Sequence, residues 1–451
     1  MSKPLPKTKA RTPEQLSRQL LERIHDRSAV VGIVGLGYVG LPFAVDKARA
    51  GFRVIGIEKD ARRCASLNRG ENYVPTVKDI ELRELTNKGR LTAYPDYSYV
   101  PDIDILVITV PTPITRGLTP DLQDIKDATG EIAKFLRPGQ LICLESTTFP
   151  GTTAELVRPI LEAGGLRAER DFFLGYSPER LDPGNRDYEP RSIPRVVSGV
   201  GDLSLELIST FHAQTVDTLV PVSSTQAAEL VKLFENTFRA VNLALVNEFA
   251  RLCDRLDLNV WEILDAAFTK PYGIMPFYPG PGVGGHCTPV DPHYLEWKAK
   301  ELNFYTQFID LAGRINRGMP AFVLQKALRI LIHNEVLPAK AKVLVLGVAY
   351  KKDIPDCRNS PAVEVIQLLQ DEGVSVKYHD PHVSDFHEGQ AHLKGEPFLT
   401  PELIKSQDLV IIVTDHSAVD YGWVVEHAKA VLDTRNATRG VSSKIEKIHL
   451  L

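Results

Sequence analysis

Short all-apolar runs alternate with amphipathic stretches between Val30 and Ser198, and again between Val343 and Asp433. Between those regions one helical period runs unbroken from Ser223 to about Asp254. These patterns predict an α/β fold of two Rossmann-like, doubly wound sheets, bridged by a long central helix and a helical dimerisation domain. The expected divisions are an N-terminal extension over residues 1–28 (a tail plus a short helix), a first Rossmann domain over 29–215, a central helical domain over 216–325 and a second Rossmann-like domain over 326–451.

Thr12 to about His25 reads as a short amphipathic helix, with Thr12 as N-cap, Pro13 at its first position and Glu14 close behind. Val30–Val34 is an all-apolar strand, and Gly35-Leu-Gly37-Tyr-Val-Gly40 follows it directly. A helix over Leu41–Ala50 and a second strand over Arg53–Ile57 complete the unit, which ends in Glu58, 18 positions after Gly40. Such glycines lie at a pyrophosphate, the helix N-terminus faces the phosphates, and the acid meets a ribose 2′-hydroxyl. That acid would repel the 2′-phosphate of NADP, so the 29–215 domain is expected to bind NAD.

Further strands are expected at Ile103–Val110, Gln140–Glu145, Phe172–Tyr176 and Arg195–Ser198, with helices at about Gln123–Leu136 and Thr152–Ala163. Ligands of doubly wound sheets sit at the carboxyl ends of the strands. Those ends make Thr112, Thr147 and Glu179 candidates to line a site. Ser223 with Gln226 resembles a capping box, opening a helix whose apolar positions include Leu230, Phe234, Phe238, Leu245 and Leu252. At 1.5 Å per residue that helix would span roughly 45 Å. Lys232 and Asn236, four apart, share one face of it.

More helices are expected at Trp261–Ala267, Tyr294–Leu302 and Phe308–Met319. So much apolar helix between two sheets predicts a homodimer seam. Val343–Leu346, Val374–His379, Leu409–Thr414 and Val431–Asp433 form the second sheet, with a helix that Ser360-Pro361 opens and Gly373 closes. Its first βα loop lacks the glycine fingerprint and carries Lys351, Lys352 and Arg358, suited to a different anion.

Bulk properties narrow the class. At 451 residues, 43% hydrophobic and 24% charged, the chain is ordinary for a soluble protein of two or three domains. A net charge of −4 gives no reason to expect nucleic acid. The five cysteines are scattered and include no Cys-x-x-Cys pair, so reduced thiols in a cytoplasmic protein are expected, with no metal site. No apolar run approaches the ~18 residues of a membrane span. Lys3, Lys7, Lys9 and Arg11 precede no apolar h-region, which points to a disordered tail instead of a secretory signal.

Pro279–Pro292 reads Pro-Gly-Pro-Gly-Val-Gly-Gly-His-Cys-Thr-Pro-Val-Asp-Pro, too dense in Pro and Gly for helix or strand. Gly284 and Gly285 are expected to let that backbone approach a ligand closely. The loop presents Cys287, with Asp291 four positions on. A lone cysteine is usually an inert apolar filler, but a glycine loop beside His286 is the setting of a nucleophile. With a nicotinamide to accept hydride, the thiol suggests a route from alcohol to aldehyde, thiohemiacetal, thioester and acid. An aldehyde has no leaving hydride until a nucleophile adds to it. Lys232 and Asn236 could supply donors to the tetrahedral oxyanion, and Glu179 or Asp291 a base for hydrolysing the thioester.

With these residues in view the chain resembles the nucleotide-sugar 6-dehydrogenases of the UDP-glucose/UDP-mannosaminuronate dehydrogenase family, from about Ala29 to the C-terminus. The resemblance rests on Gly-Leu-Gly-Tyr-Val-Gly-Leu-Pro at 35–42, Lys-Leu-Phe-Glu-Asn at 232–236, Gly-Gly-His-Cys at 284–287 with Asp291, and Lys-Lys-Asp at 351–353 with Arg358. It implies NAD-dependent, four-electron oxidation of a sugar C6 hydroxymethyl to a carboxylate, with the UDP-sugar held by the 326–451 domain. It implies Cys287 as nucleophile, Lys232 as oxyanion stabiliser with Asn236 as its partner, and Asp291 working with the lysine and a water. Glu179 then serves thioester hydrolysis and Thr147 positions water. Implied cofactor contacts are Gly35, Gly37, Tyr38, Val39, Gly40, Glu58, Arg63, Thr112, Thr147 and Arg358. Implied substrate contacts are Glu179, Arg180, Leu181, Lys232, Asn236, Tyr278, Gly284 and Lys351.

The stretches 269–287 and 177–184 are similar to the N-acetylhexosamine branch of the family, where glucose enzymes tend to have Phe at the position of Arg180. UDP-N-acetylglucosamine is therefore the expected substrate. The galactosamine, mannosamine and glucose nucleotides stay open, because one inverted hydroxyl is not readable from sequence. The departures are the N-terminal extension and Thr288, which stands where Ile is expected. A uronic acid of this kind normally feeds surface polysaccharide or lipopolysaccharide synthesis. A two-electron dehydrogenase of the 3-hydroxyacid kind would need neither Cys287 nor the third segment. A non-catalytic sensor would have no use for Cys287, Lys232, Asn236 and Glu179 together.

Overall fold

The computed structural model describes residues 11–115, 117–180, 188–285, 288–388 and 391–451. The chain divides into two compact units, Met1–Phe234 and Glu235–Leu451. The tail expected at the extreme N-terminus lies outside the described residues up to position 10. Helix α1 (Pro13–His25) follows, closed by a full capping box between Thr12 and Gln15. Its Leu16, Leu20 and Ile24 bury into the core of the first unit.

That unit continues through β1 (Val30–Val34), α2 (Gly40–Arg49), β2 (Arg53–Ile57), α3 (Ala61–Asn68), α4 (Asp79–Asn87), β3 (Leu91–Tyr94) and β4 (Ile105–Ile108). After them come α5 (Gln123–Phe135), β5 (Leu141–Leu144), α6 (Arg158–Glu162), β6 (Phe173–Tyr176), β7 (Arg195–Gly199), α7 (Asp202–His212) and β8 (Leu219–Pro221). The sheet runs β3-β2-β1-β4-β5-β6-β7-β8. Its first six strands have the order of a dinucleotide-binding sheet, whose switch point lies between β1 and β4. Every pair is parallel except β6–β7. The helix expected over Thr152–Ala163 opens instead as a π-turn, Thr152–Val157, before α6. Glu229 accounts for it, accepting from the N–H groups of Gly151 and Thr153 and from the Thr153 hydroxyl.

Helix α8 (Thr225–Leu256) spans 32 residues. Its cap is Ser224, whose Oγ accepts from Ala227 N at 3.1 Å, and not the expected Ser223. Its buried apolar positions are mostly small, Ala228, Ala240, Ala244, Ala250 and Cys253, with Leu233 and Val246 among them. The large apolar positions expected along it lie in the open, Phe234 64% and Leu245 62% exposed.

Next come α9 (Val260–Phe268), α10 (Asp291–Glu301), α11 (Gln307–Arg317), α12 (Met319–His333), β9 (Lys342–Leu346), α13 (Pro361–Asp371) and β10 (Ser375–His379). A hairpin of β11 (Asp385–Glu388) and β12 (Ala391–Lys394) precedes α14 (Pro401–Lys405), β13 (Leu409–Ile412), α15 (Tyr421–His427), β14 (Val431–Asp433) and β15 (Ile448–Leu450). This second sheet runs β10-β9-β13-β14-β15, all parallel. Counted from β9 the order is 2-1-3-4-5, the flavodoxin-like form of double winding. Among the described residues no helix is long and apolar enough to cross a membrane.

Candidate active site

In the first unit, the turn after β1 is shaped by what its glycines exclude. Gly35 holds φ +90°, and a Cβ on it would lie 3.0 Å from the Thr109 carbonyl oxygen. One on Gly40 would lie 1.8 Å from the Gly35 carbonyl oxygen. Thr109, at the end of β4, tightens the turn by donating from Oγ1 to the carbonyls of Val34 at 3.0 Å and Gly35 at 2.8 Å. Around a Cβ built on Gly37, by contrast, nothing lies within 4 Å. That open cradle at the N-terminus of α2 fits a pyrophosphate. Tyr38 and Val39 are exposed beside it.

Glu58 is buried at the end of β2, its Oε2 accepting from Leu36 N and its Oε1 from Asp60 N, each at 3.0 Å. Each carboxylate oxygen keeps a lone pair for a ribose hydroxyl. Arg63 Nη1 stands 3.9 Å from Glu58 Oε2, and Tyr73 donates to the Leu36 carbonyl at 3.0 Å. The acid thus holds the loop as well as keeping lone pairs that a ribose could use. Motif spacing does not reveal that second task, nor the parts of Thr109 and Tyr73.

At the carboxyl ends of β5 and β6 lies a cluster of which the sequence pattern pointed only to Glu179. Arg195 joins Glu145 (2.5 Å) and Glu179 (3.5 Å), and its Nε donates to Ser177 Oγ at 2.9 Å. Burial pushes the Glu145 carboxyl up to about 7, with Arg195 opposing. Burial also pulls the nearby Lys47 ammonium down to about 7, while its Nζ donates to Phe211 O and Thr215 Oγ1. Thr147 is half-buried between Ser146, which donates to Val110 O at 2.8 Å, and Thr148, paired with Thr152 at 2.6 Å. Thr112 is buried beyond β4. Arg180 donates from its N–H to Glu179 Oε1 and from Nη1 to Pro194 O. Leu181 lies outside the described residues.

In the second unit, Asn236 Nδ2 donates to Asp291 Oδ2 at 2.5 Å, both side chains buried. Asn236 Oδ1 accepts from Arg239 Nη1 at 3.3 Å, which fixes the amide orientation. Thr288 Oγ1 also accepts from Arg239, at 3.4 Å, which a hydroxyl can do and the expected Ile could not. Lys232 is half-buried one helical turn before Asn236 on α8. Cys287, with His286, lies outside the described residues.

The close backbone approach expected at Gly284 and Gly285 is made first to the chain itself. A Cβ on Gly284 would lie 2.6 Å from Tyr350 Cβ, and one on Gly285 2.8 Å from the Tyr350 ring. Gly285 N donates to Arg358 O, and Asn359 Nδ2 to Gly285 O. The cysteine loop is therefore packed against the loop that carries Lys351 and Arg358. Arg358 itself chelates Asp356, from Nε at 3.0 and 3.1 Å and from Nη2 at 2.7 Å. Tyr278 donates to Asp265 at 2.7 Å and stacks on Trp261.

The second sheet repeats the acid of the first in another form. Asp380, after β10, accepts through Oδ2 from Val348 N, Ala349 N and His416 Nε2, and through Oδ1 from His382 N and Val383 N. Five donors leave it no lone pair for a ribose. Of the described groups with metal-like spacing, Cys143–Glu145–His212 shares its space with Arg195, and in Asp353–His382–His416 both His416 nitrogens are already bonded.

A dinucleotide cradle on one doubly wound sheet and a cationic loop on another define a nucleotide-dependent dehydrogenase. The sequence matches the NAD-binding domain of the UDP-glucose/GDP-mannose dehydrogenase family over residues 29–215, its central domain over 226–318 and its UDP-binding domain over 344–440. It is 36% identical over 358 residues to a UDP-N-acetyl-D-glucosamine 6-dehydrogenase of Pseudomonas aeruginosa, covering 78% of this chain and 83% of that one. A UDP-N-acetyl-D-mannosamine dehydrogenase of Pyrococcus horikoshii is 33% identical over 414 residues, covering 90% and 95%. The solved structure of a UDP-D-ManNAc dehydrogenase from Pyrococcus horikoshii superposes with a TM-score of 0.81 at 32% identity, covering 90% of this chain and 96% of that one. The chain belongs to the UDP-glucose/GDP-mannose dehydrogenase family, with NAD as its cofactor and a UDP-sugar as its substrate.

Proposed function

We propose that the chain oxidises C6 of a UDP-N-acetylhexosamine, UDP-N-acetylglucosamine before the others, to the carboxylate in two successive two-electron steps. The buried Asn236–Asp291 pair is the observation that supports this reading most. It sets an amide donor beside a carboxylate four residues past Cys287 in the sequence, with Lys232 one turn back on α8.

NAD held by Gly35, Gly37, Gly40 and Glu58 supplies the hydride acceptor. The chain's own residues do the rest. Cys287 adds as thiolate to the aldehyde carbon, and the oxyanion of the thiohemiacetal takes donors from Lys232 and Asn236. Once the second hydride has left, the carbon is a thioester. Glu179 takes a proton from a water that Thr147 orients, the water oxygen bonds to the acyl carbon, and the C–S bond breaks to return the thiolate. Arg180, Leu181, Tyr278, Gly284 and Lys351 hold the sugar nucleotide. The enzyme works in the cytoplasm as a homodimer paired through the exposed stripe of α8, and its product enters surface polysaccharide.

The mannosamine nucleotide is the second reading, because the relative named for it matches more of the chain than the glucosamine one, 90% against 78%. NADH formed per mole of limiting UDP-sugar decides between them. Two NADH per UDP-N-acetylglucosamine, with slower turnover of the ManNAc, GalNAc and glucose nucleotides, is the expected result. Two from another sugar moves only the substrate, and one NADH per sugar removes the thioester route.

A further inference from the structure

Arg195 is the first residue of β7, the strand that runs antiparallel to β6. The reversal brings that first residue to the carboxyl ends of β5 and β6, where a parallel strand would place its last. There Nη2 donates to Glu145 Oε2 at 2.5 Å, Nε to Ser177 Oγ at 2.9 Å, and Nη1 stands 3.5 Å from Glu179 Oε2. The other Glu179 oxygen accepts from Arg180 N at 2.7 Å. Arg195 and Glu145 are buried, and Glu179 half-buried. Resting on the reading of Glu179 as the base for thioester hydrolysis, we propose that Arg195 is a positioning residue for that second half-reaction: it aims the Glu179 carboxylate, with Glu145 as its anchor.

The charges around Glu179 show why a cation is needed. Helix α2 contributes Asp46, Lys47 and Arg49, the end of β5 Glu145, the Glu179 loop Arg180, and β7 Arg195. Asp46 and Glu145 are like charges to Glu179, and burial pushes both of their carboxyls up. Lys47 is directed elsewhere, to Phe211 O and Thr215 Oγ1, and lies 3.9 Å over the Phe211 ring. Arg180 turns its Nη1 to Pro194 O. Arg195 is placed between two of the carboxylates, and its planar fork suits two acids at once. Ser177 stops the fork from rotating.

In the hydrolytic step the water proton passes to Glu179, the water oxygen bonds to the acyl carbon, and Cys287 leaves as thiolate. A Glu179 carboxylate that has lost its partner is no longer held in line with that water.

The test mixes native enzyme, Arg195→Met, Arg195→Lys, Glu145→Gln and Glu179→Gln with NAD and the UDP-sugar that gives fastest NADH formation. NADH is followed before the steady state, and intact mass is read for an acyl adduct. Arg195→Met should turn over about 100-fold more slowly. It should also show a burst of two NADH per subunit and accumulate the adduct, as Glu179→Gln should. Arg195→Lys should recover part of the rate. A merely structural role would lower the burst along with the rate. If Glu179→Gln accumulates adduct and Arg195→Met is slow without it, the role of Arg195 is overturned and that of Glu179 stands. If neither accumulates it, Glu179 is not the base. Should Arg195→Met fail to fold, adduct in Arg195→Lys or Glu145→Gln supports the proposal, and its absence from both overturns it.

Discussion

Asn236 and Asp291 meet at 2.5 Å although 55 residues separate them, and Asp291 is also the first residue of α10. The helix N-terminus favours the carboxylate there, and the carboxylate in turn orients the amide. Asn236→Ala should lower kcat by about 100-fold while KM stays within a few-fold, since an oxyanion donor acts in the transition state. Steady-state kinetics check this. A raised KM at unchanged kcat would make Asn236 a substrate-binding residue only.

Cys287→Ala should abolish acid formation and leave UDP-sugar affinity near native, because in the proposed route the thiol serves the chemistry and does not hold the nucleotide. Calorimetric titration and NADH release measure the two separately. Unchanged turnover in that variant would remove the thioester mechanism.

Glu58→Gln tests the loop-holding acid that the proposed reading also sets against the ribose. Losing the charge should weaken NAD binding by about tenfold, and the glycine turn should loosen because Leu36 N and Asp60 N lose charge-assisted partners. A fall in stability of about 1–3 kcal/mol is expected with it. Weaker NAD binding at unchanged melting temperature would confine Glu58 to the ribose.

The second sheet should be acid-sensitive through Asp380. Burial alone would raise its carboxyl, but the His416 hydrogen bond and charge, with backbone N–H groups, outweigh that and hold it at about 2. A folded value below the unfolded one means that this stabilisation is complete above about pH 4 and is lost as pH falls toward 2. Asp380→Asn should cost about 2–3 kcal/mol at neutral pH and flatten the acid limb of stability. Denaturant melts from pH 2 to 7 report both. An acid limb unchanged by the substitution would place the sensitivity elsewhere.

The proposed dimer seam is the exposed apolar stripe of α8. Leu245→Asp should convert a dimer to monomer in sedimentation velocity, since a charge replaces an exposed leucine in the proposed seam. A dimer that survives it would put the seam on another face.

Local pattern determined much of this protein. The strand ranges Val30–Val34, Arg53–Ile57 and Val431–Asp433 stand as the apolar runs predict, because a strand buried on both faces needs an unbroken apolar run. The glycine turn and Glu58 were legible for a similar reason, since only glycine tolerates the close approaches at Gly35 and Gly40. Helix α12 (Met319–His333) and strand β15 (Ile448–Leu450) were not, the one lying past an expected helix end and the other being short and only partly buried.

Tertiary structure alone decided the rest. Whether the apolar side of α8 faces inward or outward depends on what packs against it, and a helical period carries no such direction. That Gly284 and Gly285 make room for Tyr350, that Asp380 is saturated by five donors where Glu58 is not, and that an arginine from a reversed strand reaches Glu145 and Glu179 are all meetings between distant residues. Spacing along a chain reports the local conformations available to each segment. Which charges face one another is set by the order and direction of strands, and the antiparallel pairing of β6 with β7 decides at which end of the sheet Arg195 lies.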